Sequence, residues 1–282
     1  MKNYDKNSLT GFVLMFLILL IFNFYFLPTT EETQQNNEEI KTENLITETD
    51  IITLEKPQLT KEEKGNKYGV FAESADLNTK EYSIENEKIK VVISNRGGRI
   101  SSVVIKEGPN KKEYKTYDGN ELEIFNSDSS IFNLNFSTGI SINTSELFFK
   151  PKEISDDEIT MRLEVDSSHF IDFNYKLKED YLVDFNINMI GMNEVIPREL
   201  NFMNLEWQMK TPQTEKSKEN QDMYTGIYYQ YFADKDDIDY LGYTNSDDVE
   251  KISNKLSWVA FQQQFFSSII VAKNGLKNVN LT

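Results

Sequence analysis

The chain has 282 residues, a formal net charge of −16 and no cysteine. An acidic chain without a basic cluster does not hold a polyphosphate backbone. The arginines stand scattered at Arg96, Arg99, Arg162 and Arg198, so nucleic acid is not an expected partner. The lack of cysteine excludes disulfides, thiolate metal sites, thiol nucleophiles and an acylated lipoprotein anchor.

The first element is an apolar run, Leu9 to Leu27, with no charged residue and only Thr10 and Asn23 as clearly polar positions. As a helix it spans about 28 Å, close to the hydrocarbon thickness of a bilayer. It shows no polar face, which a buried core helix would have. The run exceeds a signal-peptide core, and the sequence after it, Pro28-Thr29-Thr30-Glu31-Glu32, offers no small-residue cleavage site. An uncleaved transmembrane helix is therefore expected over 9–27. Lys2, Lys6 and the amino terminus precede it, whereas Glu31, Glu32, Glu38 and Glu39 follow it. The positive-inside rule places residues 1–8 in the cytoplasm and the rest across the membrane.

From 28 to 76 the chain is rich in Glu, Thr, Asn, Gln and Lys and poor in aromatics. Such a segment buries too little apolar surface to offset its ordering entropy. A disordered acidic linker is expected, with a mean reach on the order of 35–40 Å as a flexible coil.

Residues 77–282 read as a β domain. Apolar residues alternate with polar ones over Ile159–Val165, Ile171–Leu177, Val183–Met189 and Met203–Met209. That period of two predicts strands with one buried and one wet face. Lys178-Glu179-Asp180 suits a hairpin, and Asn95-Arg96-Gly97-Gly98 supplies the positive φ that a tight turn needs. Only Thr211–Thr225 could form a crossover helix, and its polarity suits a loop better. The expected fold class is all-β, a large antiparallel sandwich of ten or more strands with two sheets packed face to face.

Catalytic patterns are sparse. The single histidine, His169, opens a strand, and one imidazole cannot supply the histidine pair of a sugar-epimerising site. No Gly-x-Ser-x-Gly turn, glycine-rich phosphate loop or HExxH pattern is present. Asp234, Asp236, Asp237 and Asp239 form the densest acid cluster. A calcium loop starting at Asp234 would need glycine at its sixth position and glutamate at its twelfth, where Asp239 and Asn245 stand. No enzyme activity, cofactor or metal is expected. Tyr224, Tyr228, Tyr229, Tyr231, Phe232, Tyr240 and Tyr243 are dense enough either for a sandwich core and its rims or for a peptide- or glycan-binding cleft. Phe265 and Phe266 begin an apolar run to Val271 that predicts a buried strand.

Three stretches carry a resemblance. The run Lys6-Asn7-Ser8 before the apolar helix, the turn Ser94-Asn95-Arg96-Gly97-Gly98 and the segment Ser257 to Phe266 (SWVAFQQQFF) resemble the YidC membrane-protein insertases in their Bacteroidetes-like form. The motif positions are Asn95, Gly97, Gly98, Trp258, Phe261, Gln263, Phe265 and Phe266, all expected to act structurally. The resemblance implies a protein of the bacterial inner membrane that assists insertion and folding of membrane proteins, with or without the Sec translocon. Its partners would be the lipid bilayer, nascent inner-membrane proteins and Sec components. It implies a periplasmic domain like the galactose-mutarotase super-sandwich. It also implies a five-helix membrane core with a polar groove and an arginine. The sequence holds no second apolar stretch of that length. The expectation is therefore a first helix plus most of a periplasmic domain, cut short at its C-terminal side and unable to insert proteins alone. The alternative is a self-sufficient anchored module that binds a peptide or glycan.

Overall fold

The computed structural model describes residues 59–107, 113–200, 202–234, 236–242 and 249–282. The expected cytoplasmic segment and transmembrane helix, and the linker as far as residue 58, lie outside the described residues. Among the described residues no helix is long and apolar enough to cross a membrane.

Among the described residues every strand pairing is antiparallel. In the first sheet β1 (Glu81–Glu85), β2 (Ile89–Ser94), β3 (Arg99–Ile105) and β4 (Leu122–Asn126) follow one another. The second sheet is a meander of β7 (Lys150–Ile154), β8 (Glu158–Glu164), β9 (Phe170–Leu177) and β10 (Val183–Ile190). In the third, β5 (Ile131–Ser137) lies between β6 (Ser141–Asn143) and the distant β11 (Asn204–Gln208). The fourth has the order β13 (Ile238–Gly242), β12 (Gly226–Tyr231), β15 (Leu256–Gln262) and β16 (Ser267–Leu276). A short fifth sheet pairs β14 (Glu250–Ile252) with β17 (Val279–Leu281).

The alternating sequence explains the layers. On β8 and β9 the inward residues Ile159, Met161, Leu163, Ile171, Phe173 and Tyr175 are fully buried. Their outward neighbours pair instead: Arg162 donates twice to the Asp172 carboxylate at 2.7 Å, and Lys176 meets Glu158 at 2.5 Å. The inward faces of the first three sheets share one core, with Ile84, Val91 and Ile93 meeting Leu134, Phe136 and Ile142. Where two sheets were expected, three thus converge. Phe185 of β10 sits between Tyr175, stacked at 4.6 Å, and the edge of Phe173 at 5.5 Å, and reaches Phe132 of β5 at 6.2 Å. A second core lies under the fourth and fifth sheets, around Tyr229, Leu241, Ile252, Leu256, Val259 and Leu281.

Two further expectations are corrected. The linker was expected to stay irregular to residue 76, but α1 (Lys61–Tyr68) and a 3₁₀ turn (Gly69–Ser74) occupy its end. The helix starts with a capping box: Thr60 Oγ1 accepts from the Glu63 N–H, and the Glu63 carboxylate accepts from the Thr60 N–H at 2.8 Å. It buries no residue of its own. It is held by ion pairs, Lys64 to Asp76 at 2.6 Å and Lys67 to Glu146 at 2.5 Å. The apolar anchor follows in the 3₁₀ turn, where Phe71 is fully buried with its edge against Phe136 at 5.8 Å. The second correction concerns Thr211–Thr225, which contains a short helix, α2 (Lys218–Met223), capped by Ser217. Gln221 of α2 is buried; its Oε1 accepts from the Thr214 N–H at 2.9 Å and its Nε2 donates to the Pro212 carbonyl at 2.9 Å.

Phe71→Ala removes a fully buried ring and is expected to lower stability by about 3–5 kcal/mol. Urea unfolding followed through Trp207 and Trp258 measures this. A loss below about 1 kcal/mol would mean that residues 59–76 are only loosely docked.

Candidate functional site

The motif residues form two groups. Asn95, Gly97 and Gly98 make the turn between β2 and β3, and that turn is a junction. Asn95 is buried, its Oδ1 accepts from the Lys80 N–H at 2.7 Å, and its Nδ2 donates to the Asn78 carbonyl at 3.0 Å. Its own carbonyl accepts from the Phe149 N–H at 2.7 Å, while the Gly97 N–H donates to the Leu147 carbonyl at 2.8 Å. The turn thus ties the first sheet to the crossing segment that leads into β7. Gly97 and Gly98 adopt φ of +85° and +59°, a region costly for residues with a side chain. A Cβ on Gly98 would lie 2.6 Å from a ring carbon of Phe149. Beneath it, the buried Tyr175 hydroxyl donates to the Gly98 carbonyl at 2.8 Å. Burial pushes the Tyr175 phenol up from its usual value, so it stays a donor. Arg99, next in β3, donates to Asn133 of β5 at 2.7 Å and so connects the third sheet; burial pushes its guanidinium down from its usual value.

Trp258, Phe261, Gln263, Phe265 and Phe266 lie on β15 and in the turn to β16. Trp258 Nε1 donates to Gln230 Oε1 on β12 at 3.0 Å. Phe261 faces the other way and meets the edge of Trp207 of β11 at 4.5 Å, joining the third and fourth sheets. Gln263 is buried; its backbone N–H donates to the Phe266 carbonyl at 2.7 Å and closes the turn. The Phe266 ring packs edge-on against Tyr114 at 5.6 Å. Phe265 is 65% exposed, which corrects the expected buried strand. Here β16 is an edge strand of the fourth sheet, and its outward Ile269 and Val271 are 55% and 70% exposed.

The tyrosine cluster divides. Tyr229 is fully buried and donates to Glu250 at 2.6 Å; burial, with that carboxylate, pushes its phenol up. Tyr228 and Tyr240 stack at 5.2 Å on the opposite, outer face. Cross-strand registers place Tyr240, Tyr228, Ala260 and Ile269 in one row and Ile238, Gln230, Trp258 and Val271 in the next. No charged side chain interrupts these rows in a chain that is 27% charged. Tyr224 is exposed, Phe232 lies under Lys255, and Tyr243 is outside the described residues. Sequence reasoning listed these rings but did not place them together on this uncharged outer face.

Two concavities mark the described surface. A cavity of about 490 Å³ lies between α1, Thr138 and Ile140 of the β5–β6 turn, and Glu194–Val195. A groove of about 480 Å³ crosses the outer face of the first sheet, lined by Lys90, Lys106, Glu121 and Glu123 among others. Asp234, Asp236 and Asp237 lie in the β12–β13 connection and Asp239 on β13; among the described residues no three acidic or histidine side chains converge on a common point. His169 lies at the β8–β9 turn between two carboxylates.

Gly98→Ala combines a strained φ with a steric overlap and is expected to cost about 2–4 kcal/mol. Tyr175→Phe leaves the buried Gly98 carbonyl unpaired and is expected to cost about 1–3 kcal/mol. Urea midpoints test both, and equal stability of Gly98→Ala and the parent would refute the junction.

A family model described as the YidC periplasmic domain matches residues 81–282. A membrane protein insertase YidC from Parabacteroides distasonis is 30% identical, over 98% of this chain and 46% of that protein. The Phocaeicola vulgatus protein of the same name is 29% identical, over 99% of this chain and 44% of its own length. The chain thus spans just under half the length of the curated relatives it matches. Among solved structures, a galactose mutarotase related enzyme from Lactobacillus acidophilus aligns at a TM-score of 0.35 and 14% identity, covering 66% of this chain and 74% of that one. A galactose mutarotase-like protein from Lactobacillus casei aligns at 0.38 and 10%, covering 67% and 78%. The family match starts with the first residue of β1 and takes in every strand to β17, so the chain belongs to the YidC family and its β domain is that family's periplasmic domain.

Proposed function

We propose that this chain serves as the N-terminal part of a membrane protein insertase, holding the periplasmic domain beside the site where inner-membrane proteins enter the bilayer. The observation that carries this reading is the family match across the whole β domain. In this reading Leu9–Leu27 anchors the chain with residues 1–8 in the cytoplasm, residues 28–58 act as an acidic tether, and the described domain stands in the periplasm. Insertion itself falls to a membrane core of the kind the family resemblance implies, and the β domain acts without enzymatic chemistry. Nascent membrane proteins are the proposed clients and Sec translocon components the proposed partners, with Sec-dependent and Sec-independent insertion both served.

A second reading, an anchored module that binds an extended peptide or glycan, draws on one observation. The outer face of the fourth sheet presents Tyr228, Tyr240, Ile269 and Val271 without a charge among them. Uncharged aromatic surface of that kind marks contact sites more often than bare solvent-facing sheet. The two readings are compatible if that face meets a client or a partner.

The native chain has no cysteine, so single cysteines report topology cleanly. A membrane-impermeant maleimide is expected to label Asp128→Cys in intact spheroplasts and Asn3→Cys only after lysis. The reverse pattern would overturn the orientation. Function is tested in cells depleted of their own insertase. The chain joined in frame to the unmatched remainder of the Parabacteroides distasonis relative is expected to restore insertion, and the chain alone is not. Restoration by the chain alone would overturn the division of labour.

A further inference from the structure

His169 is the single histidine of the chain, and both of its ring nitrogens face carboxylates. Nδ1 lies 2.8 Å from Asp166 Oδ2 and 2.9 Å from Oδ1. Asp166 belongs to the same β8–β9 turn, where its Oδ1 also accepts the N–H groups of Ser168 at 2.7 Å and His169 at 2.9 Å. Nε2 lies 3.2 Å from Glu194 Oε2. Glu194 comes from another element, the 3₁₀ turn Met192–Glu194 that follows β10. That turn is seated by Met192 and Ile196, both buried in the first core. Its approach to the hairpin is close: Gly191 has φ of +68°, and a Cβ there would lie 2.3 Å from the Ser168 carbonyl oxygen. Glu194 and the next residue, Val195, also form one wall of the cavity beside α1.

The chemistry of the ring makes this arrangement conditional. An imidazolium donates from both nitrogens, so it satisfies both carboxylates at once. A neutral imidazole has one donor and one acceptor. Whichever nitrogen has lost its proton then turns a lone pair toward a carboxylate. Asp166 holds Nδ1 with both oxygens and is itself fixed by two backbone N–H groups, so the proton stays on that side. The contact that fails is the longer one, to Glu194, whose side chain is 72% exposed and free to turn into water.

We propose that His169 is a pH-operated latch, which when protonated ties the β8–β9 hairpin to the Met192–Glu194 turn and steadies the cavity wall that Glu194 and Val195 form. Asp166 from the hairpin and Glu194 from the turn are the charged groups that act on the ring. Asp166 first, and Glu194 second, hold the imidazolium above its usual range. A base whose native pKa is raised stabilises the fold fully below its unfolded value near 6.5. That contribution is lost as pH rises through the higher native value. The latch is therefore closed in mildly acidic conditions and opens toward alkaline pH.

The single histidine makes the test direct. The full chain in detergent micelles, labelled with ¹³C-histidine, gives one imidazole signal whose titration midpoint is expected above about 6.5. Amide exchange over residues 191–196, corrected for the intrinsic base catalysis, is expected to rise roughly two- to fivefold through that midpoint, the range an exposed ion pair sustains. Glu194→Gln, an exposed substitution that leaves the fold intact, is expected to lower the midpoint and abolish the pH step in exchange. Asp166→Asn is expected to lower the midpoint further. A midpoint at or below about 6.5 in the parent chain, exchange that does not change through the titration, or an unaltered step in Glu194→Gln would each overturn the proposal.

Discussion

The arrangement of the sheets depends on one close approach, the Gly98 backbone against the Phe149 ring. With no Cβ at Gly98, the β2–β3 turn can lie flat on that ring. The approach lets the Asn95 carbonyl reach the Phe149 N–H and brings the Gly98 carbonyl within reach of the Tyr175 hydroxyl. Three parts of the chain are thereby locked to one four-residue turn: the start of β1 through Asn78 and Lys80, the entry to β7 through Leu147 and Phe149, and β9 through Tyr175. The crossing segment receives the α1 region too, since the Phe148 N–H donates to the Ser74 carbonyl at 2.7 Å. Polar bonds in the interior repay their desolvation only when all partners are in place, so this junction selects one mutual position of the sheets.

Aromatic rings extend that order across the domain. From Phe149 a run of contacts passes through Phe173 at 4.7 Å to Phe185 and Phe132. Phe132 stands opposite Trp207 in the β5–β11 register, and Trp207 meets Phe261 of the fourth sheet. The motif segment around Trp258 is therefore structural on its inner side, while its outer side opens onto an uncharged face.

Much of the architecture was legible in local pattern. Alternation over residues 159–189 became β8, β9 and β10 because a period of two leaves no other way to bury one face. The paired glycines marked the junction turn, although nothing in their spacing revealed that Phe149 and Tyr175 would meet there. The helix before β1 was hidden by its polar composition, yet Thr60 and Glu63 were present as a capping signature. The run from Phe265 to Val271 misled because apolar residues signal strand and not neighbour: among the described residues β16 has a partner on one side only. Glu194 could not have been matched to His169, since the two are brought together by the length of a hairpin and a glycine bend.

The pairing of β5 with β11 bears on how the domain is assembled in time. The first three strands of the first sheet and the four of the second each join sequence neighbours through short turns, and such hairpins form early. Only β6 joins β5 that way; β11 cannot, because Leu134 must wait for Leu205, with the whole second sheet between them. Closing so long a loop is entropically unfavourable until the intervening strands have folded. On this contact-order argument the edge of β5 that faces β11 is the last to be paired, by one five-residue strand.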